Sequence, residues 1–449
     1  MEEHLPQSLI FDILSRLTDS ADLARCRVVS KTLNSLSRDV PSINLLCTLS
    51  RYQKSRSPAT AHRVTPFKAI FYNLVSNYRK LESVSIGVDK SLGEIFYDDL
   101  EDERDDLCLT DVGFVKDWLP RVCGELRFLS ISDFWIQSCW RKSDVLAVIS
   151  SCCHRLIELE LRNAWLTVDG LNPMPMLTKL TLEFIRLEDE DLNNVNNCFP
   201  CLQVLNLVGV GGLKEPKIHL LHLKNCLWTI SNAPLSLAIY APNLMKLELK
   251  CIKPKSLVLE TPLLYDFHLS LEKANEVRIK EFQNLKNLQL ESSSLCSLIN
   301  IVPFGHTIKK LKVEALKSTE PTEMRRFDLV TLFNIFPNVS SLTLGPRAWS
   351  EAENHFHQEG LERMAVMKEL KEISAYLVVD DIDATLSFIF SVLNKCPNLS
   401  DLALLIHCEV DSGISSRIVS RCTVDHPRVR WRWGMWKEGA EDTWVSVGI

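Results

Sequence analysis

One phrase of apolar spacing runs through most of the chain. L-x-x-L-x-L appears at Leu81, Val84, Ile86, then at Leu126, Leu129, Ile131, at Leu156, Leu159, Leu161, at Leu177, Leu180, Leu182 and at Leu202, Leu205, Leu207. A weaker copy at Ile218, Leu221, Leu223 follows, then Leu244, Leu247, Leu249, a degenerate Leu264, Phe267, Leu269, and Leu285, Leu288, Leu290. The series ends with Ile308, Leu311, Val313, with Val339, Leu342, Leu344, with a poor copy at Leu370, Ile373, Ala375, and with Leu399, Leu402, Leu404. Alternation within the phrase predicts a short strand with one face inward. One such unit cannot bury its own apolar face, so the copies must stack into a repeat array, with the rest of each repeat returning on the outer side. Proline precedes the phrase at Phe199-Pro200, Ala241-Pro242, Thr261-Pro262, Phe336-Pro337 and Cys396-Pro397. It ends the preceding helix and sets an extended entry to the strand.

The first forty residues follow a different period. Leu9, Ile10, Ile13, Leu14 and Leu17 make one broad apolar helical face. Asp19 or Ser20 can cap a second helix, whose apolar side runs through Leu23, Cys26, Val29, Leu33 and Leu36. A helix pair this small buries too little to stand alone. It either caps the following domain or docks on a partner.

The repeat spacing is that of the leucine-rich repeats. The first forty residues resemble the F-box motif: Leu5-Pro6, Leu9, Ile13-Leu14, Leu17, Asp22-Leu23, Cys26 and Val29-Ser30-Lys31 stand in its order and spacing, with Leu33 where many members carry tryptophan. The recurring C/F-P-N-L is common in the repeats of F-box proteins, and the uneven repeat lengths resemble the plant members. The expected organisation is therefore an all-α F-box over residues 1–40, a linker with a transition helix over 41–75, a leucine-rich-repeat solenoid of α/β class over 76–408 with an acidic loop insertion near 89–110, and a cap over 409–449. The insertion holds the run Asp98-Asp99-Leu100-Glu101-Asp102-Glu103-Arg104-Asp105-Asp106.

The resemblance implies docking on the adaptor Skp1, and through it on a cullin. Leu5, Pro6, Leu9, Ile13, Leu14, Leu17, Leu23 and Val29 are the contact residues it implies. The chain would then be the substrate-recognition subunit of an SCF-type ubiquitin ligase. Its target would lie on the strand face, at such non-leucine positions as Glu160, Glu248, Lys250, Gln289 and Thr343. The alternative is a non-catalytic repeat scaffold or ligand-binding protein outside any ligase.

Composition narrows the chemistry. The net charge is -6, which argues against a nucleic-acid partner while leaving room for a local basic patch. No apolar run approaches the about 20 residues needed to span a bilayer. The acidic start, MEEHLPQSLI, lacks the basic region of a secretory signal. With it, the 15 cysteines read as reduced thiols of the cytoplasm or nucleus. Cys198-x-x-Cys201 has no second pair to complete a zinc set, and His355-x-His357 reads as part of a polar exposed loop. Gly209-Val210-Gly211-Gly212 reads as a tight turn of the array. With no metal, cofactor or catalytic constellation in view, the expectation is an adaptor and not an enzyme. Trp431, Trp433, Trp436 and Trp444 beside Arg428, Arg430 and Arg432 suit a last capping strand or a recognition surface.

Overall fold

The computed structural model describes residues 5–57, 61–94, 105–230, 234–251, 254–272, 276–279, 282–301, 305–317, 327–359 and 366–445. The chain divides into two compact units, Met1–Asn232 and Ala233–Ile449.

The first unit opens with three helices, α1 (Gln7–Ser15), α2 (Ser20–Val29) and α3 (Lys31–Leu36). A parallel sheet follows, through β1 (Ser42–Cys47), β2 (Ser83–Val88), β3 (Phe128–Ser132) and the strands Glu158–Arg162, Lys179–Glu183, Val204–Val210 and Asn225–Ile230. The register aligns the phrase: Ile43, Val84, Leu129, Leu159, Leu180, Leu205 and Cys226 share one row, and Leu45, Ile86, Ile131, Leu161, Leu182, Leu207 and Trp228 the next. Every one of these side chains is buried. The second unit continues the same construction with parallel strands Lys246–Cys251, Asp266–Leu271, Asn287–Ser292, Lys310–Ala315, Ser341–Leu344, Glu372–Leu377, Asp401–His407 and Arg430–Trp436, closed by the antiparallel strand Thr443–Val445.

Repeat length decides how the chain returns. From Leu126 to Leu156 and from Leu370 to Leu399 there is room for the helices Val145–Cys152 and Ile382–Lys395. From Leu244 to Leu264 and on to Leu285 there is not, and the return is made by the strands Ser256–Glu260 and Glu276–Ile279 of a second parallel sheet. Where a helix leads into proline, its last residue adopts one conformation. Phe199, Phe336, Cys396 and His426 all have φ between -132° and -118° and ψ between 62° and 75°. Each donates its N–H back to the last helical turn, at Val195, Leu332, Leu393 and Cys422. The proline that follows excludes continued α geometry.

Several sequence expectations need correction. Residues 41–75 are not a linker: Val40, Ile43 and Leu45 write the repeat phrase, and β1 is the first strand of the sheet. The weak copy at Ile218, Leu221 and Leu223 is out of register: Leu221 is 56% exposed, and Leu223, Cys226 and Trp228 fill the row instead. Residues 95–104 of the acidic insertion lie outside the described residues, but Asp105–Thr110 is buried, not an exposed loop. Asp105 pairs with Arg56 and accepts from the Tyr52 hydroxyl at 3.2 Å. Asp106 accepts from Phe67 N at 2.6 Å and Lys68 N at 3.0 Å, capping the helix Phe67–Val75 from across the chain. His355 sits in the helix Pro346–Glu359 and not in a loop. The cap over 409–449 contains one more complete repeat, helix Ser412–Asp425 and strand Arg430–Trp436, in which Trp431 and Trp433 stack at 5.5 Å in the positions of the phrase.

Candidate docking surface

The F-box-like helices resolve the broad apolar face of α1 into two stripes. Successive residues of a helix are turned by about 100°, so Leu9 and Ile13 fall on one line of α1 and Ile10 and Leu14 on another, with Leu5 just before the helix and Leu17 just after it. The second line builds a core: Ile10, Leu14, Leu23 and Val40 are buried, with Phe11, Leu17, Cys26, Leu33, Leu36 and Tyr78 packed around them. The first line is left in solvent, with Leu5 47%, Leu9 50% and Ile13 54% exposed. Pro6 beside it is exposed too, and at the end of α2 Val28 and Val29 stand out at 86% and 69%.

Local capping holds this display. Asp19 accepts from Ala21 N at 2.8 Å to start α2, and Ser30 accepts from Leu33 N at 3.1 Å to start α3. Arg27 donates to the Ser37 hydroxyl at 3.0 Å and lies 4.9 Å over the Tyr78 ring. That burial holds its guanidinium below its ordinary pKa. Of the implied contact residues, then, Leu5, Pro6, Leu9, Ile13 and Val29 are displayed, and Leu17 is half-buried. Leu14 at 2% and Leu23 at 1% exposure are corrected to core residues, since they hold α1 on α2 and have no surface to offer. Val28 was missed, because its neighbour Val29 fits the motif and Val28 does not.

The outward face of the sheet carries the other candidates. In the first unit the row is Ser85, Ser130, Glu160, Thr181, Asn206, with Glu160 3.9 Å from Lys179. In the second, Glu248, His268, Gln289, Lys312, Thr343 and Ser374 stand in register, and Lys250, Ser270, Glu291 and Glu314 form the adjoining row. The structure thus brings Glu248, Lys250, Gln289 and Thr343 onto one face and leaves Glu160 in the other unit.

His268 organises this face. Its Nε2 lies 2.9 Å from Glu291, its Nδ1 3.5 Å from Glu248, and Lys250 reaches Glu248 at 3.0 Å. Gln289 donates to Glu291 at 2.6 Å. The close contact with His268 drives Glu291 down to about 2, while burial drives Glu314 up to about 7. His268, Glu291 and Glu314 were not singled out from sequence. They stand at the same offset from the phrase as the residues that were, but Phe267 made the His268 repeat look degenerate.

The fold and its displayed surface define a leucine-rich-repeat protein with an N-terminal three-helix module. The F-box-like family model matches residues 3–43. Over 448 residues, 99% of this chain and 100% of the relative, the chain is 56% identical to F-box/LRR-repeat protein At4g29420 of Arabidopsis thaliana. It belongs to the F-box/LRR-repeat proteins.

Proposed function

We propose that this protein is the substrate receptor of an SCF-type ubiquitin ligase. The observation that carries the reading is the exposed stripe Leu5, Leu9, Ile13, with Val29, on a module whose core is already complete without it. Apolar side chains left in solvent on a helix whose opposite side is packed into a core serve a partner, and the F-box resemblance makes that partner Skp1. The outward sheet face takes the target. The chain adds no nucleophile or general base; it raises the local concentration of a target lysine near the ubiquitin thioester.

Isothermal titration of the chain with a Skp1-type adaptor tests this. The double substitution Leu9→Ala/Ile13→Ala should weaken binding by at least about tenfold while shifting stability by less than about 1 kcal/mol, since both side chains are half-exposed. Leu14→Ala, by contrast, should cost about 2–5 kcal/mol of stability. A folded wild-type chain that does not bind the adaptor refutes the reading and leaves the scaffold alternative.

A further inference from the structure

A groove of about 690 Å³ lies between α2 and the first repeat. Its rim carries Arg25, Arg51, Lys54 and Arg63, and Val28 and Leu46 stand exposed within it at 86% and 46%. Among its lining residues the acidic one is Asp19, whose carboxylate is engaged in capping α2.

The charge is local to this part of the chain. Between Asp39 and Glu82 there is no Asp or Glu, yet Arg51, Lys54, Arg56, Arg63, Lys68, Arg79 and Lys80 fall there, in a protein of net charge -6. Arg56 and Arg79 are consumed by Asp105 and Asp39. Arg51, Lys54 and Arg63 line the groove, and Arg63 donates to His62 Nε2 at 3.0 Å. The helix Leu49–Arg56 adds to their field. Its N-terminus faces the groove through Thr48 and Ser50, it has no acidic residue in its first turn, and Thr48 gives it no side-chain cap. Arg51 in that first turn places a cation on the positive end of the helix, a placement that lowers stability unless an anion sits against it. Cations around an apolar floor match an acidic segment bearing an apolar side chain.

We infer that this groove receives an acidic segment of the adaptor bound to the F-box, so that the adaptor is held by the first repeat as well as by α1. The occupant follows from continuity: Val28 lines the groove, and the next residue, Val29, belongs to the docking set. The inference rests on the ligase reading above.

The test is the rate of association of the full chain with the adaptor, by biolayer interferometry across a salt series. Arg51→Glu/Arg63→Glu changes two rim residues that take no part in the α1 stripe. At about 0.03 M salt the reversal should slow association by about tenfold or more, and near 0.5 M the two chains should converge, because steering is screened. Arg51→Gln/Arg63→Gln should fall between them, and thermal melts should show all three folded. Neutralising the acidic segment in the adaptor should erase the difference between wild type and reversal. Equal rates and equal salt slopes for the folded wild type and reversal overturn the groove alone. An adaptor that binds neither chain overturns the ligase reading itself.

Discussion

Glu314 offers a measurable link between the second unit's outward face and pH. Its carboxylate lies against Gly345, where an added Cβ would overlap it, and accepts from Arg347 N at 3.3 Å. Burial is the largest influence and raises it; the Arg347 amide and charge pull it back, and neighbouring Glu291 pushes it up again, leaving it at about 7 against an ordinary 4.5. Between those pH values the folded chain keeps a proton that the unfolded chain has released. The group's contribution to stability is therefore complete below about pH 4.5, is lost as the pH rises to about 7, and is absent above. At 1.36 kcal/mol per unit the shift corresponds to at most about 3 kcal/mol, and partial exposure reduces this to about 1–3. Glu314→Gln stays neutral throughout. It should match wild type near pH 4.5 and exceed it by about 1–3 kcal/mol above pH 7. Glu291, held low by His268, acts in the separate window below pH 4.5, where its contribution fades as it is protonated. Urea unfolding of both chains from pH 4.5 to 8.5, followed by tryptophan fluorescence, reads the difference. Stability curves that run parallel over that range would refute the burial argument.

Two further outcomes follow from the first unit. Gly209 sits at φ +62°, and a Cβ there would meet the Phe184 ring at 2.7 Å, so Gly209→Ala should cost about 1–3 kcal/mol in a thermal melt; adding Phe184→Ala should restore the steric part and leave the backbone part. Asp106→Ala removes the acceptor for Phe67 N and Lys68 N and should cost about 1–2 kcal/mol, with faster hydrogen exchange at those two amides; unchanged exchange would mean the cap is not formed in solution.

The repeats were legible because one row of side chains obeys one spacing rule. The rule failed where different residues fill the same row. Val40 and Ile43, β-branched where leucine is expected, hide the first copy directly after the helices, and Cys226 and Trp228 hide another behind a chance run of leucines. His426-Pro427-Arg428-Val429 echoes Cys396-Pro397-Asn398-Leu399, with the same helix-ending conformation, but arginine and tryptophan obscured it. Residues 105–110 were misread for a different reason. Local acidity implies solvent, and the partners that allow Asp105 and Asp106 to be buried, Arg56, Tyr52 and the amides of residues 67 and 68, are far away in sequence. The two stripes of α1 could not be separated either, since Leu9 and Leu14 are equally apolar. Which one is displayed depends on where Leu23 and Val40 pack.

The join between the docking helices and the first repeat bears on how the proposed receptor would work. A free linker over residues 41–75 would let its two ends wander over about 30–35 Å, as a flexible chain of that length does. Here Asn44 in β1 donates from its backbone to the Ser20 hydroxyl at 2.9 Å and from its side chain to Thr18 O at 2.9 Å. Arg79 N donates to Arg38 O at 3.1 Å, and Tyr78 belongs to the same core as α1. The helices are thus built into the first repeat instead of tethered to it. A partner held at Leu9 and Ile13 takes its position relative to the first unit's sheet from hydrogen bonds and packing, not from a distribution of linker lengths. Proximity catalysis gains most from such fixed geometry, because only target lysines within reach of a defined point are exposed to the thioester.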